Sequence, residues 1–187
     1  MEQFSNLAGH FLIAMPGMAD PTFARGVTLL CQYNEEGAIG LLVNHPAPFT
    51  LGDVLRQMQI DCDQDTINNR PVLQGGPVQT ERGFVLHDGD HPWEASFRVN
   101  ERWAVTTSRD ILVAIAAGEG PQHAAVALGY AGWSTGQLDD EIRANAWLTT
   151  PADGRIVFAT PVEDRWRAAA ALVGVDVDNL ADYAGHA

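Results

Sequence analysis

Short apolar runs, separated by turns that contain glycine or proline, predict β-strands along most of the chain. The runs at 27–33 and 38–43 flank the polar turn at 34–37, an arrangement typical of a β-hairpin. Residues 61–69 are polar and acidic, which predicts an exposed loop. Further apolar runs predict strands at 11–15, 72–74, 83–87, 96–99, 103–106, 124–130 and 156–159.

Apolar positions spaced three and four residues apart predict helices between the strands. One helix is predicted over 51–58 and another over 109–117, where Ser108 precedes the first turn as a cap. Two Ser/Thr-x-x-Gln/Glu patterns, beginning at Ser134 and Thr160, predict further helix starts. Because helices and strands alternate without a regular βαβ rhythm, the pattern favours an α+β fold or an irregular mixed sheet.

The 187 residues include 24 acidic and 11 basic side chains, which gives a formal net charge of −13. All the basic residues are arginine, so mechanisms that need a lysine Schiff base or a phosphate-loop lysine are excluded. The negative charge argues against general binding to nucleic acids or to anionic membranes, whereas a local arginine cluster is still able to bind an anion. The length predicts one domain over residues 1–187.

Signals that direct a protein to a membrane or out of the cell are not found in the sequence. The first residues lack the basic and apolar segments of a signal peptide, and no apolar run is long enough to span a membrane. Cys31 and Cys62 make no disulfide framework and have no metal-ligand spacing, so reduced thiols are expected. We therefore expect a cytoplasmic protein without a cofactor or a metal ion.

The segment Gly132-Trp133-Ser134-Thr135-Gly136 matches G-x-S-x-G between a predicted strand and a predicted helix, which is the context of a serine hydrolase nucleophile. The base of such an enzyme follows the serine in the chain, and His186 is the only histidine after Ser134. A chain end is a poor place for a catalytic base, so Ser134 is interpreted first as a helix cap. A small serine hydrolase built on Ser134 is the alternative.

Three other polar segments combine candidate ligand chemistry with a structural interpretation. The segment 87–91 has two histidines and two aspartates that could hold a metal ion, but its glycine favours a solvated loop tip. Gly75 and Gly76 allow close backbone approach and Arg82 could clamp an anion, although a tight connection explains the glycines more simply. The segment 106–110 could bind an anion at a helix start or form an ion-pair network.

Several segments together resemble the YqgE/AlgH family of bacterial proteins. Examples are Gly75-Gly76-Pro77 and Thr106-Thr107-Ser108-Arg109-Asp110. The resembling segments, which span nearly the whole chain in order, are 10–16, 43–46, 75–77, 82–87, 106–110, 127–133, 136–138, 145–148, 164–166 and 184–187. The resemblance implies one compact domain with a bent or bifurcated mixed sheet flanked by helices. It implies no known reaction, and the family name comes from a proposed role in transcriptional regulation.

The sequence departs from the family pattern at two positions. His45 stands between Asn44 and Pro46, where family members usually have lysine or arginine, so a fixed cation is not essential there or is replaced by a group that titrates near neutral pH. Family members do not always have serine at the position of Ser134, which weakens the hydrolase alternative.

The most economical interpretation is a non-enzymatic regulatory or interaction protein that binds a protein partner or a small anionic ligand. A serine hydrolase and a transcriptional regulator of the AlgH type are the alternatives, and direct DNA binding is disfavoured by the charge. No catalytic residue is assigned. We expect the polar motif residues to converge on one ligand-binding face, formed by Arg25, Asn44, Gly75, Gly76, Arg82, Ser108, Arg109 and Gln137.

Overall fold

The computed structural model of the protein describes residues 6–179. Within them the strands are β1 (His10–Ala14), β2 (Val27–Asn34), β3 (Gly37–Leu42), β4 (Pro46–Thr50), β5 (Pro71–Gln74), β6 (Val78–His87), β7 (Ser96–Arg98), β8 (Ala104–Thr106), β9 (Ala124–Ser134) and β10 (Trp147–Pro151). The helices are α1 (Leu51–Gln57), α2 (Asp65–Asn68), α3 (Arg109–Ala116), α4 (Gln137–Arg143), α5 (Gly154–Phe158) and α6 (Arg165–Leu172), and a 3₁₀ turn (Val162–Asp164) leads into α6.

All the strands join in one curled sheet that branches at β9. The main path runs β10-β1-β2-β3-β9-β6-β8-β7, and its neighbours are antiparallel. The second branch is β4-β5, in which β5 pairs with β9 in parallel at Leu73↔Ala127 and Gln74↔Leu128. One edge of β9 therefore holds β3 near its end and β5 near its beginning, while β6 pairs along the other edge.

Three glycines let the branches meet at β9. The Gly75 N–H donates to the Leu128 carbonyl (2.7 Å), and the Gly75 carbonyl accepts from Leu42 of β3 (2.9 Å), so this residue bridges both partners. A side chain on Gly75 or Gly76 would overlap the backbone of Gly129 or Tyr130. Gly76 and Gly129 also have positive φ angles, 155° and 76°, which side chains strongly disfavour.

The core lies on both faces of the sheet because neighbouring residues in each strand point in opposite directions. One face carries Phe11, Leu73 and Phe84 and packs against α5 and α6. The opposite face carries Val72 and Val85, which pack with α1, α2 and α3. The predicted α+β fold, with a bent and branched mixed sheet flanked by helices, is confirmed.

Two local predictions are wrong, and both errors come from overlooked helix signals. The strand predicted at 156–159 is part of α5, because the Asp153 carboxylate accepts a hydrogen bond from the Arg155 N–H (2.9 Å) and caps a helix there. The loop predicted at 61–69 contains α2, whose Ile67 is buried against α1 and α3. The strands β4 and β10 were not predicted.

Two helix starts also lie later than predicted. Helix α4 begins at Gln137 with Gly136 as its cap, because Gly136 takes a left-handed conformation (φ 74°) that is not helical. After Thr160 the chain first forms the 3₁₀ turn, and α6 begins only at Arg165. No helix among the described residues has the length and apolar character needed to cross a lipid bilayer.

Substitution of Leu29 by alanine should destabilise the protein by about 3 kcal/mol, because the side chain is 0% exposed in the middle of the sheet core. Leu172→Ala is the matched control, since this leucine is 43% exposed at the end of α6 and should change stability by less than about 0.5 kcal/mol. Urea denaturation followed by circular dichroism measures both. Equal losses would contradict the assigned core.

Candidate functional site

The eight predicted site residues do not line one cavity. Ser108 and Arg109 line a cavity of about 580 Å³, whereas Arg25 and Asn44 line a different one of about 350 Å³. The two cavities share no lining residue. These residues therefore do not share one cavity, and a common ligand-binding face stays a prediction.

Asn44 organises the turn that contains Arg25. Its side-chain carbonyl accepts from the Val27 N–H (2.9 Å), and its amide nitrogen donates to the Arg25 carbonyl (2.8 Å). Arg25 has a positive φ of 56°, and its guanidinium lies over the Trp166 ring at 5.7 Å. Burial lowers the pKa of His45, the neighbour of Asn44, so this histidine is mainly neutral at pH 7 and supplies no fixed cation.

Gly75 and Gly76 lie at the branch point of the sheet, and their backbone contacts there account for both glycines. Both face the backbone of β9, and the Gly75 N–H and carbonyl are both hydrogen-bonded. Arg82 lies apart from them on the surface, where it donates to Gln79 (3.3 Å) and lies over the Phe84 ring at 5.6 Å. The glycines thus match the simpler structural interpretation.

Gln137 holds the segment that precedes α4. Its side-chain carbonyl accepts from both the N–H (3.0 Å) and the hydroxyl (3.2 Å) of Ser134. These are bonds of the predicted capping box, although Ser134 is the last residue of β9 and not the helix cap. The Ser134 hydroxyl donates to an amide and not to a base, and the predicted base His186 lies outside the described residues.

The first turn of α3 contains an anionic side chain, the carboxylate of Asp110. The Asp110 carboxylate accepts from the Ser108 hydroxyl (2.6 Å) and from the N–H groups of Ile111 (2.9 Å) and Glu94 (2.8 Å). Burial alone would raise the pKa of Asp110, but these hydrogen bonds outweigh it and lower the pKa. A foreign anion at this helix start would meet a fixed carboxylate, so the predicted anion site there is already filled by Asp110.

Arg109, which lies between Ser108 and Asp110 in the chain, lines the cavity of about 580 Å³. We call it the α1–α3 cavity. Its guanidinium donates to the carbonyls of Met58 (3.3 Å) and Gln59 (3.5 Å) after α1, and it has no carboxylate partner among residues 6–179. The α1–α3 cavity is lined by Phe49, Asp53, Val54, Gln57, Met58, Glu81, Gly83, Val85, Thr106, Thr107, Ser108, Arg109, Leu112, Val126 and Leu128.

A third cavity, of about 320 Å³, is lined by Arg165, a buried arginine that was not among the predicted site residues. We call this cavity the Arg165 cavity. Arg165 begins α6, is 7% exposed, and donates to the carbonyls of Thr160 (2.9 Å) and Val43. Burial lowers the pKa of its guanidinium. The lining residues are Leu51, Arg70, Pro71, Leu73, Ile115, Gln122, His123, Ala124, Ala125, Val126, Val157, Phe158 and Arg165.

His123 stands at the edge of this cavity and is oriented by Asp88. The Asp88 carboxylate contacts the His123 ring nitrogen Nδ1 (2.8 Å) and accepts from the His123 N–H (3.0 Å). Burial would raise the pKa of Asp88, but the bonds from His123 dominate and lower it. The arrangement fixes the imidazole through Nδ1 and leaves Nε2 without a hydrogen-bond partner among the described residues.

The 87–91 segment forms no metal site in the described residues, where no three potential ligand side chains come together. His87 is buried, and burial lowers its pKa. Its Nδ1 donates to the Asp88 carbonyl (2.8 Å), so its Nε2 accepts from the Thr106 hydroxyl (2.7 Å). His91 instead packs on the Trp93 ring. The two histidines therefore serve separate structural contacts.

Gly76→Ala should destabilise the protein by about 3 kcal/mol, because a methyl group there meets the Tyr130 backbone at a φ angle that alanine disfavours. Gly83→Ala is the control: nothing lies within 4 Å of its added carbon, and stability should stay equal or rise by about 0.5 kcal/mol. Thermal unfolding measures both variants. A Gly76→Ala protein as stable as wild type would contradict the assigned close contact with the Tyr130 backbone.

Asp110→Asn should lower stability by about 1–2 kcal/mol at pH 7, because the ionised carboxylate accepts three hydrogen bonds. The folded pKa lies below the unfolded value, so this contribution is complete above about pH 5 and is lost as pH falls below about 4. Urea titrations at pH 7 and pH 3 should show the wild-type advantage shrink. Asp90→Asn, whose side chain is 98% exposed, should leave stability nearly unchanged at both pH values.

Comparisons with known proteins give the family. An AlgH-like family model matches residues 11–178. UPF0301 proteins of Xanthomonas euvesicatoria pv. vesicatoria (strain 85-10) and Xanthomonas oryzae pv. oryzae (strain PXO99A) are each 54% identical over 181 residues, which cover 97% of this chain and 96% of each relative.

Solved structures agree with the family model. The solution structure of the AlgH protein from Pseudomonas aeruginosa superposes with a TM-score of 0.80 at 47% identity, and covers 100% of both chains. A crystal structure of a Corynebacterium diphtheriae protein shares the fold, with a TM-score of 0.74 at 20% identity over 97% of this chain and 94% of that one. The resemblance seen in the sequence is thus confirmed, and the chain belongs to the AlgH-like family of UPF0301 proteins.

Proposed function

We propose that the protein is a non-enzymatic, cytoplasmic binding protein whose α1–α3 cavity holds a small organic anion. The observation that supports this most is the combination of apolar walls with one arginine at the rim. The cavity volume of about 580 Å³ lies in the range of small-molecule sites, which are mostly apolar with a few polar groups. The apolar lining residues are Phe49, Val54, Met58, Val85, Leu112, Val126 and Leu128.

Arg109 gives the cavity its preference for an anion. Its two hydrogen bonds to the Met58 and Gln59 carbonyls are long and leave other N–H groups free for a ligand. Of the two carboxylates in the lining, Asp53 is already bonded to Arg56 and to the Thr50 N–H. The other, Glu81, is exposed to water.

A binding role fits this cavity better than a catalytic one. The lining contains hydroxyl groups and carboxylates but neither an imidazole nor a thiol. Its Ser108 hydroxyl donates to Asp110, and the hydrogen bonds that lower the pKa of Asp110 make this carboxylate a weak base. The ligand class that matches apolar walls and one guanidinium is a carboxylate with an apolar body. Cytoplasmic location is supported by the free thiols of Cys31 and Cys62.

Octanoate is a suitable probe because it combines an apolar chain with one carboxylate. In calorimetric titration at low salt we expect octanoate to bind the wild-type protein. Arg109→Gln should weaken binding about tenfold, since the charged hydrogen bond to the carboxylate is lost. Arg143→Gln is the matched control, because Arg143 lies on α4 and pairs with Asp140.

Octylamine separates the anion preference from simple apolar binding. It should bind at least tenfold more weakly than octanoate to the wild-type protein. Equal affinities for octanoate and octylamine, or an Arg109→Gln protein that binds octanoate as well as wild type does, would overturn the proposal. The absence of octanoate binding would overturn it as well.

A further inference from the structure

Arg165 is a buried cation without a carboxylate partner. Its side chain is 7% exposed, and no Asp or Glu of residues 6–179 lies within ion-pair distance of it. Glu163 acts on it only through space, at longer range. Buried charges are normally paired, because removing a charge from water costs several kcal/mol that an opposite charge must offset.

The protein itself satisfies only part of this guanidinium. The Nε–H donates to the Thr160 carbonyl, and Nη1 donates to the Val43 carbonyl. Three of the five N–H groups therefore have no hydrogen-bond partner among the described residues. Each Arg165 nitrogen either has a hydrogen-bond partner or is accessible to solvent. The side chain lines the Arg165 cavity. Its free donors are accessible from that cavity.

One further cation lines the same cavity. The Arg70 side chain is exposed and makes no hydrogen bond or ion pair with residues 6–179. His123 also lines the cavity, where its Nδ1 donates to the Asp88 carboxylate and its Nε2 has no hydrogen-bond partner among the described residues. No carboxylate is among the described residues that line the cavity.

We propose that the Arg165 cavity is a binding site for the phosphate group of a small phosphorylated ligand. Two guanidinium groups offer more donors than one carboxylate can accept, whereas a phosphate presents three strong acceptor oxygens. The volume of about 320 Å³ leaves room for an organic portion beside the phosphate. The walls next to these cations are apolar, and include Leu73, Ile115, Val126, Val157 and Phe158.

The proposal concerns a second site and is independent of the α1–α3 cavity. It is tested with inorganic phosphate as the probe, by calorimetric titration and by the phosphate-induced shift of the melting temperature at constant ionic strength. Phosphate should bind the wild-type protein more tightly than acetate does. Arg70→Gln should weaken phosphate binding about tenfold, and Arg165→Gln should abolish it.

Arg167→Gln is the matched control for Arg165→Gln. Arg167 lies on the same helix, two residues away, and is exposed and paired with Asp178, so its loss should leave phosphate affinity unchanged. Because Arg165 also ties α6 to Val43 and Thr160, its variant is first checked for folding by circular dichroism. If Arg165→Gln does not fold, Arg70→Gln gives the result, since the Arg70 side chain makes no hydrogen bond or ion pair with residues 6–179.

Three results would overturn the phosphate site. They are an absence of phosphate binding by the wild-type protein, unchanged phosphate affinity in Arg70→Gln, and equal affinities for acetate and phosphate. Octanoate titrations distinguish a failure of the phosphate site from a failure of the α1–α3 cavity. Arg70→Gln should leave octanoate affinity unchanged, and Arg109→Gln should leave phosphate affinity unchanged.

Discussion

The close contact of the Gly75-Gly76 backbone with Gly129 and Tyr130 is the constraint on which the rest of the structure depends. Because no side chain separates these backbones, β9 pairs with β3, β5 and β6 along one strand, and the sheet branches. The branch places α1 to α3 on one face and α5 with α6 on the other. Both proposed cavities lie beside β9, and Val126 lines each of them.

The polar motifs of the sequence serve mainly to hold this branched sheet together. Asn44 uses both ends of its amide on the backbone, Asp110 accepts from the Ile111 N–H in the first turn of α3, and Gln137 accepts from Ser134 at the end of β9. Such groups are satisfied internally, so they have little capacity left for a ligand. Arg109 and Arg165, which have no carboxylate partner among the described residues, line the two cavities that we propose as binding sites.

Periodicity predicted most of the strands and the α1 and α3 helices, because local apolar patterns largely determine which backbone is formed. It failed at 156–159, where Ile156 and Val157 look like strand residues but the Asp153 cap starts a helix. The Arg165 cavity was beyond sequence reasoning for a different reason. Arg165 is buried by contacts with Val43, 122 residues away, and no local pattern reports such a distance. The only sign of Arg165 in the sequence was its position in segment 164–166, one of the segments that resemble the family.

The charge balance shows that the unpaired arginines do not result from a shortage of acids. Five of the eleven arginines form ion pairs within the described residues, although the chain has 24 acidic side chains. Those without such a pair are Arg25, Arg70, Arg82, Arg102, Arg109 and Arg165. For an exposed arginine a missing pair costs little, because water solvates the charge. Arg165 is 7% exposed and reaches solvent through its cavity, so a missing pair costs more there, and the proposed phosphate would offset that cost.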